Sequence, residues 1–301
     1  MKIYAIIVTY NAMRRGWIDR CLGSLAESTV PVTAIVVDNL STDGTREHVP
    51  SRWPDAVWLP QERNLGFGQA NNVGMRYALE HDADYVLLLN QDAAIAPDAL
   101  AEMANAAKGQ KVLLSPMQLN GDGTSIDQMF RNVLHMADNG LLEDFIIRHE
   151  AKATYPTGIF AAACWLMPAD MLREVGGFNP LFFHYGEDDN YQSRTRYHGY
   201  CNIVVTKAMM YHDREEHGNV KVFNKNKMRR ELLVTVCDIN KSAAGTILSM
   251  LNLLYKCYTY RLPRQQYRPG TFLPAVLWLM GHCGAIAKSR KKEKSKGRNW
   301  L

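Results

Sequence analysis

The chain lacks any cysteine pair at the spacing of a metal site or a redox motif. Its six cysteines, Cys21, Cys164, Cys201, Cys237, Cys257 and Cys283, are scattered. That excludes a disulfide framework and a zinc ribbon, and reads as reduced, mostly buried thiols of a cytoplasmic protein. Long apolar runs are missing too. The longest uncharged stretch, residues 269–287, covers 19 positions but contains Pro274, His282 and three glycines, a poor composition for a spanning helix. The run Ile3–Val8 behind Met1-Lys2 is too short for the core of a secretory leader, and no small-residue cleavage site follows it. Net charge is almost absent outside one segment. The chain carries +5, yet residues 288–298 hold seven cations and one acid, which leaves the other residues at −1. A basic folded face, the footprint of a nucleic-acid binder, is therefore not present, and no nucleic-acid partner is expected.

What remains is a globular composition. With 301 residues, 47% hydrophobic and 22% charged, the chain can hold one large α/β domain with a smaller appendage. Apolar runs at 2–8, 32–37, 85–89 and 112–114 have the composition of buried parallel strands. Helical spacing falls between them, at 17–25 and 69–81. This alternation predicts a mostly parallel sheet flanked by helices, with ligands bound at the carboxyl ends of the strands. Residues 117–157 read as an irregular insertion near the site, 159–167 and 202–205 as further strands, and 187–197 as a helix. From about Val220 the pattern is helical, apolar and finally basic.

Each predicted strand end carries polar residues. The first stops at Thr9-Tyr10-Asn11 and the second at Asp38-Asn39, followed by Ser41 and Asp43-Gly44-Thr45. A carboxylate at such a tip can accept from a ligand ring, although Asp and Ser before Gly and Thr also start helices. In Arg63-Asn64-Leu65-Gly66-Phe67-Gly68 the two glycines open a helix, so that backbone can approach an anion there or simply turn. The third strand ends in Asn90-Gln91-Asp92. Positions 90 and 92 share one face of an extended chain, which suits a divalent cation held between protein and diphosphate. The plainer alternative is a cap for the helix that begins near Pro97.

These segments, in this order, resemble glycosyltransferase family 2, closest to its bacterial rhamnosyltransferase-like members. The resemblance extends through Gly176-Gly177-Phe178 and Glu187-Asp188 to His212, and so covers roughly residues 2–217. It implies a GT-A fold over 1–217, with a donor half to about 115, an acceptor and catalytic half from 116, and a helical basic extension over 218–301. It implies that Asp38 accepts the N3–H of uracil or thymine. Thr9, Tyr10, Asn11, Asn39, Arg63, Asn64, Gly66, Phe67, Asn90 and Gln91 would bind the rest of a UDP- or dTDP-sugar. Asp92 and His212 would hold Mg²⁺ or Mn²⁺. Asp188, with Glu187 beside it, would take the acceptor's proton, one displacement giving inversion. The acceptor would be a saccharide or lipid-linked hydroxyl, in surface polysaccharide or lipopolysaccharide synthesis.

Two departures stand out. Family members commonly carry an acid where Asn90 stands, and often another where this chain has Asn190. No Gln-x-x-Arg-Trp signature of processive synthases occurs. A sugar-phosphate nucleotidyltransferase would need a Gly- and Arg-rich loop after the first strand, where the chain reads Thr9-Tyr10-Asn11-Ala12-Met13. A non-catalytic nucleotide-sugar binder is the other alternative, opposed by the intact Glu187-Asp188. The extension has two readings: its helices pack on the catalytic domain, or they lie peripherally on the inner face of the cell membrane with the basic tail on anionic lipid.

Overall fold

The structure is a computed structural model that describes residues 1–136, 139–214, 227–259, 270 and 272–301. The chain begins with β1 (Ile3–Thr9), α1 (Trp17–Ala26), β2 (Val32–Asp38), α2 (Thr45–Arg52), β3 (Val57–Pro60), α3 (Phe67–Glu80), β4 (Tyr85–Leu89), β5 (Ala93–Ile95) and α4 (Ala99–Ala107). Then come β6 (Val112–Asn120), α5 (Gln128–Met136), a short α6 (Leu141–Glu143), β7 (Thr154–Pro156), β8 (Cys164–Pro168), α7 (Ala169–Val175), α8 (Glu187–Tyr197) and β9 (Cys201–His212). Four helices close the chain: α9 (Lys227–Cys237), α10 (Ala243–Thr259), α11 (Phe272–Gly281) and α12 (Cys283–Lys294).

The nine strands form one sheet, ordered β3-β2-β1-β4-β8-β6-β9-β5, with β7 also on β9. Residues of β1 alternate between two cores. Ile3, Ala5 and Ile7 pack with Ile18 and Leu22 of α1 and Leu100 of α4. Ile6 packs on the other face with Ala70, Met75 and Ala78 of α3. Both faces are therefore covered, which is why these strands read as continuous apolar runs. β1 pairs in parallel with β2 and with β4, so successive strands leave it on opposite sides and a crevice opens at the tips of all three.

Some elements differ from the expectation. The sheet is mixed: β3-β2-β1-β4 and β6-β9 are parallel, whereas β8 runs against β4 and β6, and β5 and β7 run against β9. Strand direction leaves no mark on composition when both faces are buried. The expected strand at 159–167 is shorter, because Gln192 of α8 takes the backbone of Phe160 instead. Its Oε1 accepts from Phe160 N at 3.0 Å and its Nε2 donates to Phe160 O at 2.8 Å. The segment taken for an irregular insertion contains the end of β6 as well as α5, α6 and β7. Cys21, Cys164 and Cys237 are buried, Cys201 and Cys283 exposed, and all five are unpaired.

The expected boundary at 217/218 lies outside the described residues. Of the two readings of the extension, α12 and the last residues follow the first. Asn179 Nδ2 donates to Ser289 Oγ at 2.8 Å and to Glu293 Oε1 at 2.7 Å, and Gly177 N donates to Asn299 O at 2.8 Å. Lys296 pairs with Glu174, and the Arg194 guanidinium lies 4.6 Å over the Trp300 ring. The tail is thus part of the fold rather than a free basic arm. α9, α11 and α12 share a third core, with Leu232, Ala275, Leu279 and Ile286 around Phe182.

Candidate active site

The tips of β1 and β2 are cross-braced. Thr9 Oγ1 donates to Asp38 Oδ1 at 3.1 Å, Ser41 N to Oδ2 at 3.2 Å, and Arg46 Nε to Oδ2 at 2.7 Å. Thr9 and Asp38 are both 0% exposed, so the carboxylate lies beneath the crevice floor. Asn11 turns the chain with φ +53°, and its Oδ1 accepts from Thr42 N at 2.8 Å. Gln91 brackets the Tyr10 backbone, accepting from its N–H at 2.8 Å and donating to its carbonyl at 3.2 Å.

Above these braces is a pocket of about 440 Å³. Tyr10, Asn39, Asn64, Gly66 and Phe67 line one part of it, and Asn90, Gln91, Asp92, Phe183 and His184 the other. Asn39 is locked in place, its Nδ2 donating to Asn64 Oδ1 at 3.1 Å and its Oδ1 accepting from Leu65 N at 2.7 Å. A wider groove of about 910 Å³ between Met1, Asp84, Lys111 and Glu174 opens at the opposite ends of the strands, where no predicted site residue lies.

The pocket exists because two loops approach without a side chain between them. Gly66 has φ +76°, and a Cβ there would stand 2.0 Å from the Phe183 carbonyl oxygen. Only glycine satisfies both conditions. A Cβ on Gly68 would stand 2.9 Å from Phe178 Cβ and 3.5 Å from Glu187 Cβ. The start of α3 therefore rests on the turn that leads into α8.

Asp92 and His212 meet across the β5–β9 pairing, Oδ1 to Nε2 at 3.3 Å, with Asn90 Nδ2 3.5 Å from the same nitrogen. The other ring nitrogen, Nδ1, is buried without a hydrogen-bond partner and lies 3.8 Å from Asp127 Oδ2. Asp127 itself accepts from Arg214 Nε at 2.7 Å. A carboxylate facing Nδ1 would hold the ring proton there if Nε2 were given to a cation. Two ligands of one octahedral cation at ~2.1 Å stand about 3 Å apart, so the Asp92–His212 pair fits a divalent ion. Among the described residues no cluster of three or more such ligands forms. A divalent ion here would find two ligands among the described residues and would take its remaining donors from elsewhere.

Glu187, Asp188 and Asp189 occupy the first turn of α8 behind Gly186, where the helix dipole favours negative charge. Burial and the neighbouring carboxylates oppose it. Glu187 is pushed up to about 8 by burial and by Asp188, and Asp189 to about 7 by the same causes. Burial also raises Asp188. Glu187 Oε2 is buried without a partner. Arg230 of α9 is the compensating cation, drawing down all three carboxyls while standing 5.0 Å over the Tyr185 ring. Partial burial and then Arg230 hold His184 below its usual range, so it faces the pocket as a neutral imidazole.

Of the residues expected at the site, Tyr10, Asn39, Asn64, Gly66, Phe67, Asn90, Gln91 and Asp92 line the pocket. Thr9, Asn11, Asp38, Arg63, Glu187, Asp188 and His212 do not. The first three build the strand-tip braces, and Arg63 is exposed. Asp127, Arg46 and Arg230 were not legible in the sequence: each owes its place to a partner far along the chain or on another element. His184 lies within the aromatic run Phe182–Tyr185 and is legible there.

A nucleotide-sized crevice at the topological switch, a strand-tip acid facing a histidine, and an acidic helix start beyond them define the class: a glycosyltransferase of the GT-A fold. The chain matches the family Glycosyl transferase family 2 over residues 4–176, more than half its length, and belongs to that family. It is similar to the N-acetylglucosaminyl-diphospho-decaprenol L-rhamnosyltransferase of Mycobacterium tuberculosis, 27% identical over 69% of this chain and 74% of that one. It is 22% identical to the dTDP-rhamnosyl transferase RfbF of Shigella flexneri, over 70% of this chain and 69% of that one. Its fold also superimposes on GalNAc-T7 crystallised with UDP, GalNAc and Mn²⁺, with a TM-score of 0.62 at 13% identity. That match covers all of this chain and 55% of the other.

Proposed function

We propose that the protein transfers a hexosyl or rhamnosyl unit, with inversion, from a dTDP- or UDP-sugar to a hydroxyl of a saccharide or lipid-linked acceptor. The acceptor would serve surface-polysaccharide or lipopolysaccharide synthesis. The observation that carries this reading is the contact of Gly66 with Phe183, which brings a wall of the pocket against the turn that leads into α8. The relatives from M. tuberculosis and S. flexneri, named for rhamnosyl transfer, support the choice of sugar and of a lipid-linked acceptor.

The residues divide the work. Tyr10 and Phe67 offer ring faces to the base, and Asn39 and Asn64 offer amides held by each other. Asp38 would reach the base edge only by exchanging the Arg46 N–H for the ring N–H, and Arg46, 36% exposed, would swing outward by also giving up its bond to the Gln61 carbonyl. Asp92 and His212 would hold Mg²⁺ or Mn²⁺ against the diphosphate, where the cation's charge favours departure of the leaving group. Asp188 accepts the acceptor's O–H proton as that oxygen bonds to the anomeric carbon. The bond from that carbon to the diphosphate oxygen breaks on the opposite face, and the nucleoside diphosphate leaves.

The test is transfer from a panel of dTDP-, UDP- and GDP-sugars to a prenyl-diphospho-N-acetylglucosamine acceptor, with the anomeric configuration of the product read by NMR. A product of inverted configuration is expected. A retained configuration would overturn the single displacement. Donor binding without turnover on any acceptor would favour the non-catalytic alternative.

A further inference from the structure

Among the described residues, the outer faces of α10 and α11 are apolar and uncovered. Ile247 and Leu251 stand one turn apart on α10, with Leu248 beside them, and Leu273, Leu277 and Met280 form a matching stripe on α11. All are between 55 and 69% exposed. The opposite faces already serve the fold: Met250 and Leu253 of α10, and Ala275 and Leu279 of α11, pack into the core around α9. A helix apolar on both sides is ordinarily buried on both, and exposed apolar surface of this extent marks an interaction site.

The charge around these helices selects the partner. From residue 239 to residue 287, before the basic tail, the sequence has five Lys and Arg and no Asp or Glu, and Lys256 of α10 is exposed. A second copy of the chain would oppose like charges across the contact. An anionic bilayer satisfies both features, since apolar side chains enter the acyl boundary while cations stay with the headgroups. Among the described residues no helix is long and apolar enough to cross a membrane, so the contact is one of helices lying in the interface.

We propose that the outer faces of α10 and α11 dock the protein on the surface of an anionic phospholipid membrane. The contact belongs to these helices rather than to the basic tail, whose Glu293 and last residues are fixed on the body of the protein. It is tied to the site through α9, which carries Arg230 and Val234 against Gly186. The proposal goes beyond the transfer reaction and does not depend on which sugar is moved.

The test is flotation of the full-length protein with phosphatidylcholine vesicles, with and without phosphatidylglycerol. The wild type should float with the anionic vesicles only, and less so in high salt. Leu251→Gln combined with Leu277→Gln should lower that binding about tenfold or more, with thermal midpoint and nucleoside-diphosphate affinity unchanged. Should this pair lower the midpoint, Ile247→Gln with Leu273→Gln reads the same face. Lys291→Gln with Lys294→Gln, on the tail, should keep most of the binding. Failure of the wild type to float, or loss confined to the tail variant, would overturn the proposal. So would a wild-type dimer in sedimentation that the face variant abolishes, since the face would then join two copies of the chain.

Discussion

The side-chain amide of Asn190, three residues into α8, donates to Glu293 Oε1 of α12 at 2.9 Å, across 103 positions of sequence. Asn179 donates to the same oxygen at 2.7 Å. Where many family members are read to carry an acid, this chain has a donor matched to a buried acid from its own C-terminus. A carboxylate at 190 would face Glu293 at hydrogen-bond distance, and two like charges there would repel. The neutral residue at 190 is therefore explained by the docked tail.

Glu293→Ala should destabilise the fold by about 1–3 kcal/mol, because two buried amides lose their acceptor. Glu293→Gln should be tolerated, since its Oε1 still accepts. The pH dependence separates the two effects. Burial raises the Glu293 carboxyl in the folded state, so the folded chain holds that proton more tightly than the unfolded one. This favours folding at low pH and is lost as pH rises from the unfolded value through the raised one. Urea melts of wild type and Glu293→Gln should therefore show the variant gaining relative stability from pH 4 to pH 8; an unchanging difference would refute the account.

Asp188→Asn should leave donor affinity nearly intact and lower kcat by roughly 10²–10⁴-fold, the usual worth of a positioned base. The base acts only when deprotonated, and its neighbours Glu187 and Asp189 sit at about 8 and about 7. Because burial raises Asp188 too, the wild-type kcat/KM should climb with pH beyond the ordinary carboxylate range before it levels off. Near-normal turnover by the variant, or a profile already flat at pH 5, would contradict the assignment.

The same carboxyls make stability run the other way. A folded-state value of about 8 for Glu187 means that its proton favours the folded chain below the ordinary carboxylate range. That advantage disappears as pH rises toward 8. Glu187→Gln should flatten the fall in denaturant midpoint between pH 5 and pH 8. An equally steep fall in the variant would place its cause elsewhere.

Metal binding should depend on nucleotide. Asp92 is the only carboxylate of the Asp92–His212 pair, and Asn90 beside it is neutral. Calorimetric titration of Mn²⁺ into the free protein should give little heat, with a strong signal once nucleoside diphosphate supplies anionic oxygen. Asn90→Asp should raise the affinity of the free protein and shrink the coupling. Tight Mn²⁺ binding without nucleotide would contradict this description of the site.

Gly66→Ala should cost about 2 kcal/mol or more, from a left-handed φ combined with a Cβ 2.0 Å from the Phe183 carbonyl oxygen. Because the shift falls on the wall shared by donor pocket and α8, nucleotide affinity should drop together with the thermal midpoint. A variant of unchanged midpoint and affinity would show that the two loops are not held in contact.

The alternation of apolar runs and helical spacing was enough to place β1, α1, β2, α3, β4 and α8, because burial on both faces and the 3.6-residue period are written locally. The polar residues at their ends were legible for the same reason. Tyr10, Asn39 and Asp92 follow directly from where strands stop, and Asn64 from the glycine turn that opens α3. Strand direction was not legible, since β8 and β4 share one composition yet run opposite ways. Nor were the residues whose roles depend on distant partners: Arg46 under Asp38, Asp127 behind His212, and Arg230 facing the α8 carboxylates. The tail shows the difference most plainly. Its cations alone describe a free basic arm, and only the tertiary structure shows Glu293 buried among Asn179, Asn190 and the backbone of the body. A buried hydrogen bond is made by two segments at once, and one segment's sequence cannot state that the other is there.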